Sequence, residues 1–272
     1  MSTRRSRRGR DAAFAAAVAA GLAAYNNLAG RHRWHERWYP AVNVAATGTL
    51  LAAAAASGLT ADDLGGRRDR LAAGVRTGGP AALALATGWL ILAAVPAARP
   101  VLGDRRIAGL TGRGVAYQAV VRIPAGTVLW EEAAFRGVLQ ASLRRVLPGP
   151  AAIAVTSAVF GLWHVRPTAD ALRINQLAPG RRAAAAPVAA AVAATAVAGL
   201  LLSGLRERSG SLAAPMLLHL SANSGAVLAA WAVQHRRCGP DQPAARDRRG
   251  PPDQPGPPDE PGPPDQPGGR TA

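Results

Sequence analysis

Val128-Leu129-Trp130-Glu131-Glu132-Ala133-Ala134-Phe135-Arg136-Gly137-Val138-Leu139 sets two adjacent carboxylates and an arginine inside an otherwise apolar, helix-like run. Glu131 and Glu132 are the only acids between Asp104 and Asp170. Within a membrane each ionisable group costs roughly 2.5–3.5 kcal/mol on the insertion scale, so such residues mark a functional site by default. Glu132 and Arg136 are four apart, so on a helix they share a face and can pair. Glu131 lies about 100° round the helix from Glu132 and has no such partner in the sequence. The spacing gives Glu132 and Arg136 a supporting role and leaves Glu131 free for chemistry. The competing reading is a buried Glu–Arg pair that only fixes helix packing.

The surroundings of this stretch decide whether the membrane premise holds. Apolar residues make up 49% of the 272, and aromatics only 4%, so the apolar content is mostly Ala, Val and Leu. Ala is the best helix former and β-branched residues do not dominate, which predicts packed helices and not strands. Seven apolar runs follow one another, at 12–30, 41–59, 79–98, 115–139, 150–165, 183–204 and 212–234. Most have about the length that crosses ~30 Å of hydrocarbon as a helix. The fold class expected is an all-α, multi-span transmembrane bundle of about seven helices. A soluble helical protein would need more intervening charge than these runs contain.

The formal net charge is +16, and all 32 basic residues are arginine. They flank the apolar runs and are not gathered on one aromatic-interleaved face. That distribution fits membrane interfaces and excludes a nucleic-acid module. Trp34, Trp38 and Tyr39, beside arginines, read as an interfacial belt, with His32 and His35 as solvated neighbours. The single cysteine, Cys238, can build neither a disulfide framework nor a cysteine metal site.

Three regions follow. Residues 1–10 are a basic head. Residues 11–235 are the transmembrane domain, with its functional core expected at about 115–235. Residues 239–272 are a tail with three six-residue units, PPDQPG, PPDEPG and PPDQPG. Proline removes amide donors and glycine removes stiffness, so the tail is expected to be disordered. The head and first run resemble a signal peptide, but no single cleavage site stands out, and an uncleaved first span is expected. Pro124 and Gly126 are expected to kink or split the fourth run. Residues 166–182 are expected at the surface, and 206–211 as a turn.

The chemistry sits in three of these runs. Phe160 and His164 are four apart, as are His219 and Asn223, so each pair shares a helix face. A glutamate with a histidine can activate water, directly or on a metal. A second histidine with an asparagine supplies donors for an oxyanion. That set suits amide hydrolysis. The zinc-protease helix motif HExxH is absent.

In order and spacing, Glu131-Glu132-x-x-x-Arg136, Phe160-x-x-x-His164 and His219-x-x-x-Asn223 resemble the CPBP family, which includes the CAAX prenyl endopeptidases and bacteriocin-processing intramembrane proteases. The segment Ser209–Pro215 also looks like that family's approach to its last motif. The resemblance covers residues 115–225. It implies a multi-span helical membrane protease in which Glu131 is the general base, His164 positions or activates water, and His219 with Asn223 stabilises the oxyanion. Glu132, Arg136 and Phe160 would support them. The substrate implied is a peptide or protein in or near the bilayer, and the location a bacterial plasma membrane. A metal-free glutamate mechanism is preferred, because asparagine is a poor zinc ligand, with a zinc enzyme as the alternative. A non-catalytic membrane immunity or scaffold protein is the second class of reading. A transporter is the third, without an inverted repeat to support it.

Overall fold

Helix formation follows the apolar runs closely. The computed structural model describes residues 2–28 and 33–236. Seven helices take up the seven runs: α1 Ser2–Leu28, α2 Tyr39–Ala56, α3 Leu71–Ala94, α4 spanning 112–144, α5 Gly149–Trp163, α7 Arg181–Ser209 and α8 Ala213–Arg236. The mixed segment after α5 forms a short amphipathic helix, α6 Val165–Ile174, with no buried residue. Among the described residues there are no strands. Four helical stretches, Tyr39–Ala56, Arg68–Ala94, Arg181–Ser209 and Ala213–Arg236, are long and apolar enough to cross a membrane. The protein is an all-α membrane helical bundle. His32, the side chain of Trp34 and the repeat-bearing tail at 239–272 lie outside the described residues.

Several boundaries differ from expectation. The basic head is itself helical from Ser2. Residues 206–209 continue α7 and are not a turn. The stop comes at Gly210, whose φ of 67° only glycine adopts freely, and its amide closes on the Arg206 carbonyl at 2.9 Å. The Arg206 side chain can remain on the helix because it donates to the carbonyls of Asp62 and Asp63 at 3.1 and 3.0 Å.

The fourth run is not split: its helical pattern continues from 112 to 144. Proline has no amide to donate and crowds the preceding turn. Around Pro124 the chain answers by widening: over Gln118–Val128 it takes the i→i+5 pattern, and the Leu129 amide reaches back to the Pro124 carbonyl. A second wide segment covers Glu132–Leu139. The two glutamates therefore straddle a change of helical pitch, a feature found often at functional sites.

Every residue from Trp130 to Ser142 is buried, so α4 runs through the middle of the bundle. Its Trp130, Ala134, Phe135, Val138 and Leu139 form the main core with Val18 and Leu22 of α1, Ala54 of α2, Phe160 of α5 and Leu202 of α7. On the far side α3 packs along α8. Between lipid-embedded helices the attraction is mainly close packing, which small residues permit. Gly78 provides it here: a Cβ at that position would stand 2.4 Å from the Ala214 carbonyl oxygen.

The aromatic belt is only partly as expected. Trp38 is exposed, but Tyr39 turns inward and its hydroxyl lies 3.1 Å from Thr127 Oγ1. His35 is buried, not solvated, with Nε2 3.1 Å from the Tyr25 hydroxyl. Tyr25 in turn donates to Asn43 Oδ1, and Asn43 Nδ2 donates to the Gly126 carbonyl at 2.7 Å. Satisfying that carbonyl explains why a buried asparagine is tolerated inside a membrane helix.

Candidate active site

The wide turns of α4 carry Glu131 and Glu132 into the bundle on adjacent faces. Glu132 is fully buried. Its Oε1 accepts from Arg136 Nη1 at 3.1 Å, the pair that the four-residue spacing predicts, and both side chains are sealed from solvent. The Arg136 guanidinium also lies over the Phe160 ring, 3.9 Å from its centroid. A desolvated cation on an aromatic face is favourable, which helps offset the cost of burying the charge.

Glu132 has a second partner that the sequence did not reveal. Its Oε1 stands 2.7 Å from His219 Nδ1. A carboxylate can only accept, so His219 carries its proton on Nδ1. In the neutral ring Nε2 then holds a lone pair, and Asn223 Nδ2, 3.1 Å away, is placed to donate to it. Glu132, His219 and Asn223 thus form one hydrogen-bonded chain from α4 to α8.

Glu131 stands apart from that chain. Its Oε1 accepts from the Trp163 indole Nε1 at 3.1 Å. Its Oε2 is buried without a hydrogen-bond partner among the described residues and lies 3.8 Å from His219 Nε2. Glu131 has no partner on its own helix face, as its spacing indicates, but it has one on another helix.

His164 follows Trp163 as the C-cap of α5, its amide closing on the Gly161 and Leu162 carbonyls. Its Nδ1 lies 2.8 Å from the Phe160 carbonyl. A carbonyl cannot donate, so Nδ1 bears the hydrogen and Nε2 presents a lone pair. The ring leans edge-on against Phe160, centroids 4.7 Å apart, and His219 flanks the same phenylalanine at 6.1 Å. The two histidines therefore share an interior neighbour and do not face opposite sides of the bundle. Phe160, expected as a helix-face companion of His164 and a supporting residue, contacts both rings.

The donor set does not suit zinc. Both nitrogens of His219 are engaged, by Glu132 and Asn223, and Glu132 is shared with Arg136. Among the described residues no group of three or more His, Cys, Asp or Glu is arranged to hold a metal ion. The residues present do not fit a structural or catalytic zinc site of three protein ligands.

A polar cavity of about 410 Å³ opens at the C-terminal end of α4, floored by Arg136 and Gln140 and rimmed by Arg144, Arg145 and Glu207. Glu207 accepts from Gln140 at 2.8 Å and pairs with Arg144. At its edge the Asp63 carboxyl is held below its ordinary pKa, chiefly by the hydrogen bond from the Thr60 amide.

Trp163, Tyr25 and Asn43 are the residues sequence reading missed. Trp163 had one usable signal: a donor-only indole directly before His164, on the turn that faces Glu131.

Residues 114–225 match the family described as "Type II CAAX prenyl endopeptidase Rce1-like". The match begins in the first turns of α4 and ends just beyond Asn223 in α8. No curated protein and no solved structure matches the chain.

Proposed function

We propose that the chain is an intramembrane protease of the CPBP family, a reading supported by the match over residues 114–225, and that it hydrolyses a peptide bond with water activated by Glu131 and His164. The observation that carries the reading is the unpartnered Glu131 Oε2, buried 3.8 Å from His219 Nε2 in a cluster drawn from three helices. A buried acceptor without a donor is costly, and a water or a substrate group would supply one.

The steps follow from the proton positions. His164 Nε2 accepts one hydrogen of the water and orients it. Glu131 Oε2 takes the other proton as the oxygen attacks the peptide carbonyl carbon. The carbonyl oxygen gains the negative charge. Asn223 Nδ2 carries two hydrogens, one directed at His219, and the second is available to that oxyanion. His219, protonated on Nδ1, aims Asn223 and has no Nε2 hydrogen of its own to give in this state. Collapse of the intermediate breaks the C–N bond, and Glu131 returns its proton to the leaving amine.

Glu132 and Arg136 hold His219 in place. The substrate class is a peptide or protein segment in or near the bilayer, and the site of action a plasma membrane crossed several times.

The experiment is cleavage of a panel of peptides, with and without a prenylated C-terminal cysteine motif, by the detergent-purified full chain. Cleavage that is lost in Glu131→Gln and survives a chelator is expected. Cleavage unaffected by Glu131→Gln would overturn the reading, and loss on chelation would overturn its metal-free form.

A further inference from the structure

We propose that Trp163 is a positioning residue for Glu131: its indole N–H pins Oε1 and so presents Oε2 to the water. The catalytic part of this role rests on the reading of Glu131 as base; the contact itself does not.

The indole has one polar atom, a donor, and it stands 3.1 Å from Glu131 Oε1. A carboxylate with one oxygen tied and the other unpartnered has a fixed plane. Without the tie its terminal torsion is broad, with little preference between the two oxygens. A hydrogen bond to a charged acceptor is also about twice as strong as one between neutral groups.

The indole is itself held. Its ring meets Phe135 edge-on at 5.5 Å between centroids. The Trp163 carbonyl accepts from Asn26 Nδ2 of α1 at 2.9 Å. Arg166, one turn on, donates to the Asn26 carbonyl. The α5 terminus is thus tied to α1 on one side and to Glu131 on the other. Because His164 is the next residue, one short turn sets both the base and the histidine that orients its water.

The test uses the full chain in detergent with ¹⁵N-labelled indoles. Trp163→Phe identifies the Trp163 cross-peak by its loss, and Trp163→Tyr serves if that variant does not fold. Glu131→Gln should move this cross-peak upfield, because an amide oxygen accepts more weakly than a carboxylate. The remaining indole signals should stay in place. A Trp163 signal indifferent to Glu131→Gln overturns the proposal, whatever the cleavage assays give. In turnover, Trp163→Phe should lower kcat roughly ten- to a hundredfold with KM unchanged. A change in KM alone would assign the indole to substrate binding and likewise overturn the positioning role. Absence of cleavage by the unmodified chain would instead count against the protease reading, with the indole shift still deciding the contact.

Discussion

His219 Nδ1 and Glu132 Oε1 stand 2.7 Å apart, joining two helices through residues 87 positions apart in the sequence. The same oxygen holds Arg136. One buried carboxylate therefore fixes both a cation on its own helix and the tautomer of a histidine on α8. Glu132 and Glu131 are neighbours in sequence with different tasks, and the variants should separate them.

Glu131→Gln should fold as the parent does and lose cleavage. Glutamine keeps the volume and can still accept from Trp163, but it cannot take the water's proton. Glu132→Gln should instead melt at lower temperature, since it leaves Arg136 buried without its counter-charge. Thermal unfolding in detergent, set beside peptide cleavage, measures both; equal destabilisation by the two variants would contradict this division.

Arg136→Ala removes one member of a sealed pair and also the cation stacked on Phe160. Breaking such a pair typically costs ~3–5 kcal/mol. Membrane yield and detergent melting should both fall sharply. A stable, well-expressed Arg136→Ala would show that Glu132 is carried by His219 alone.

Asn223→Ala should slow turnover by ~10²–10³, the usual cost of one oxyanion donor. Residual activity should remain, because Glu131 and its water are untouched. Steady-state kcat on the best peptide decides this, with complete inactivity assigning Asn223 a larger part.

Gly78→Ala and Gly79→Ala should part company despite being adjacent. The first drives a Cβ to 2.4 Å from the Ala214 oxygen, whereas at Gly79 nothing lies within 4 Å. Overpacking of this kind typically costs 1–3 kcal/mol, roughly, while a free glycine-to-alanine change in a helix gains about 0.4–1 kcal/mol. Melting temperatures of the two variants should move in opposite directions.

What could be read from the sequence was what depends on short range. The Glu132–Arg136 pair is legible because four residues return to the same face within one helix. The seven helices are legible because each apolar run is bounded by arginine, glycine or proline. The match of residues 114–225 to a protease family agrees with the family resemblance read over 115–225. Contacts that cross the bundle were not legible. Trp163 meets Glu131 across 32 residues, and Asn43 meets Gly126 across 83. No periodicity encodes such pairings. His35 and Tyr39 misled for a related reason: beside arginines they look interfacial, yet the Tyr25 hydroxyl and the bared Gly126 region draw them inward. Helix ends also drifted, because the long arginine stem at 206 lets a charged residue remain helical.

Helix α5 is only 15 residues long, and at 1.5 Å per residue it reaches about 22 Å. A bilayer's hydrocarbon layer is ~30 Å thick. A helix of that length falls short of the full layer, and after its end, with Trp163 and His164, the chain continues as the amphipathic α6. Any lipid above this point must bend toward the protein or give way to solvent. A hydrolase sunk in oil has to be supplied with its second substrate, water, and a helix about a turn and a half too short thins the oil beside it.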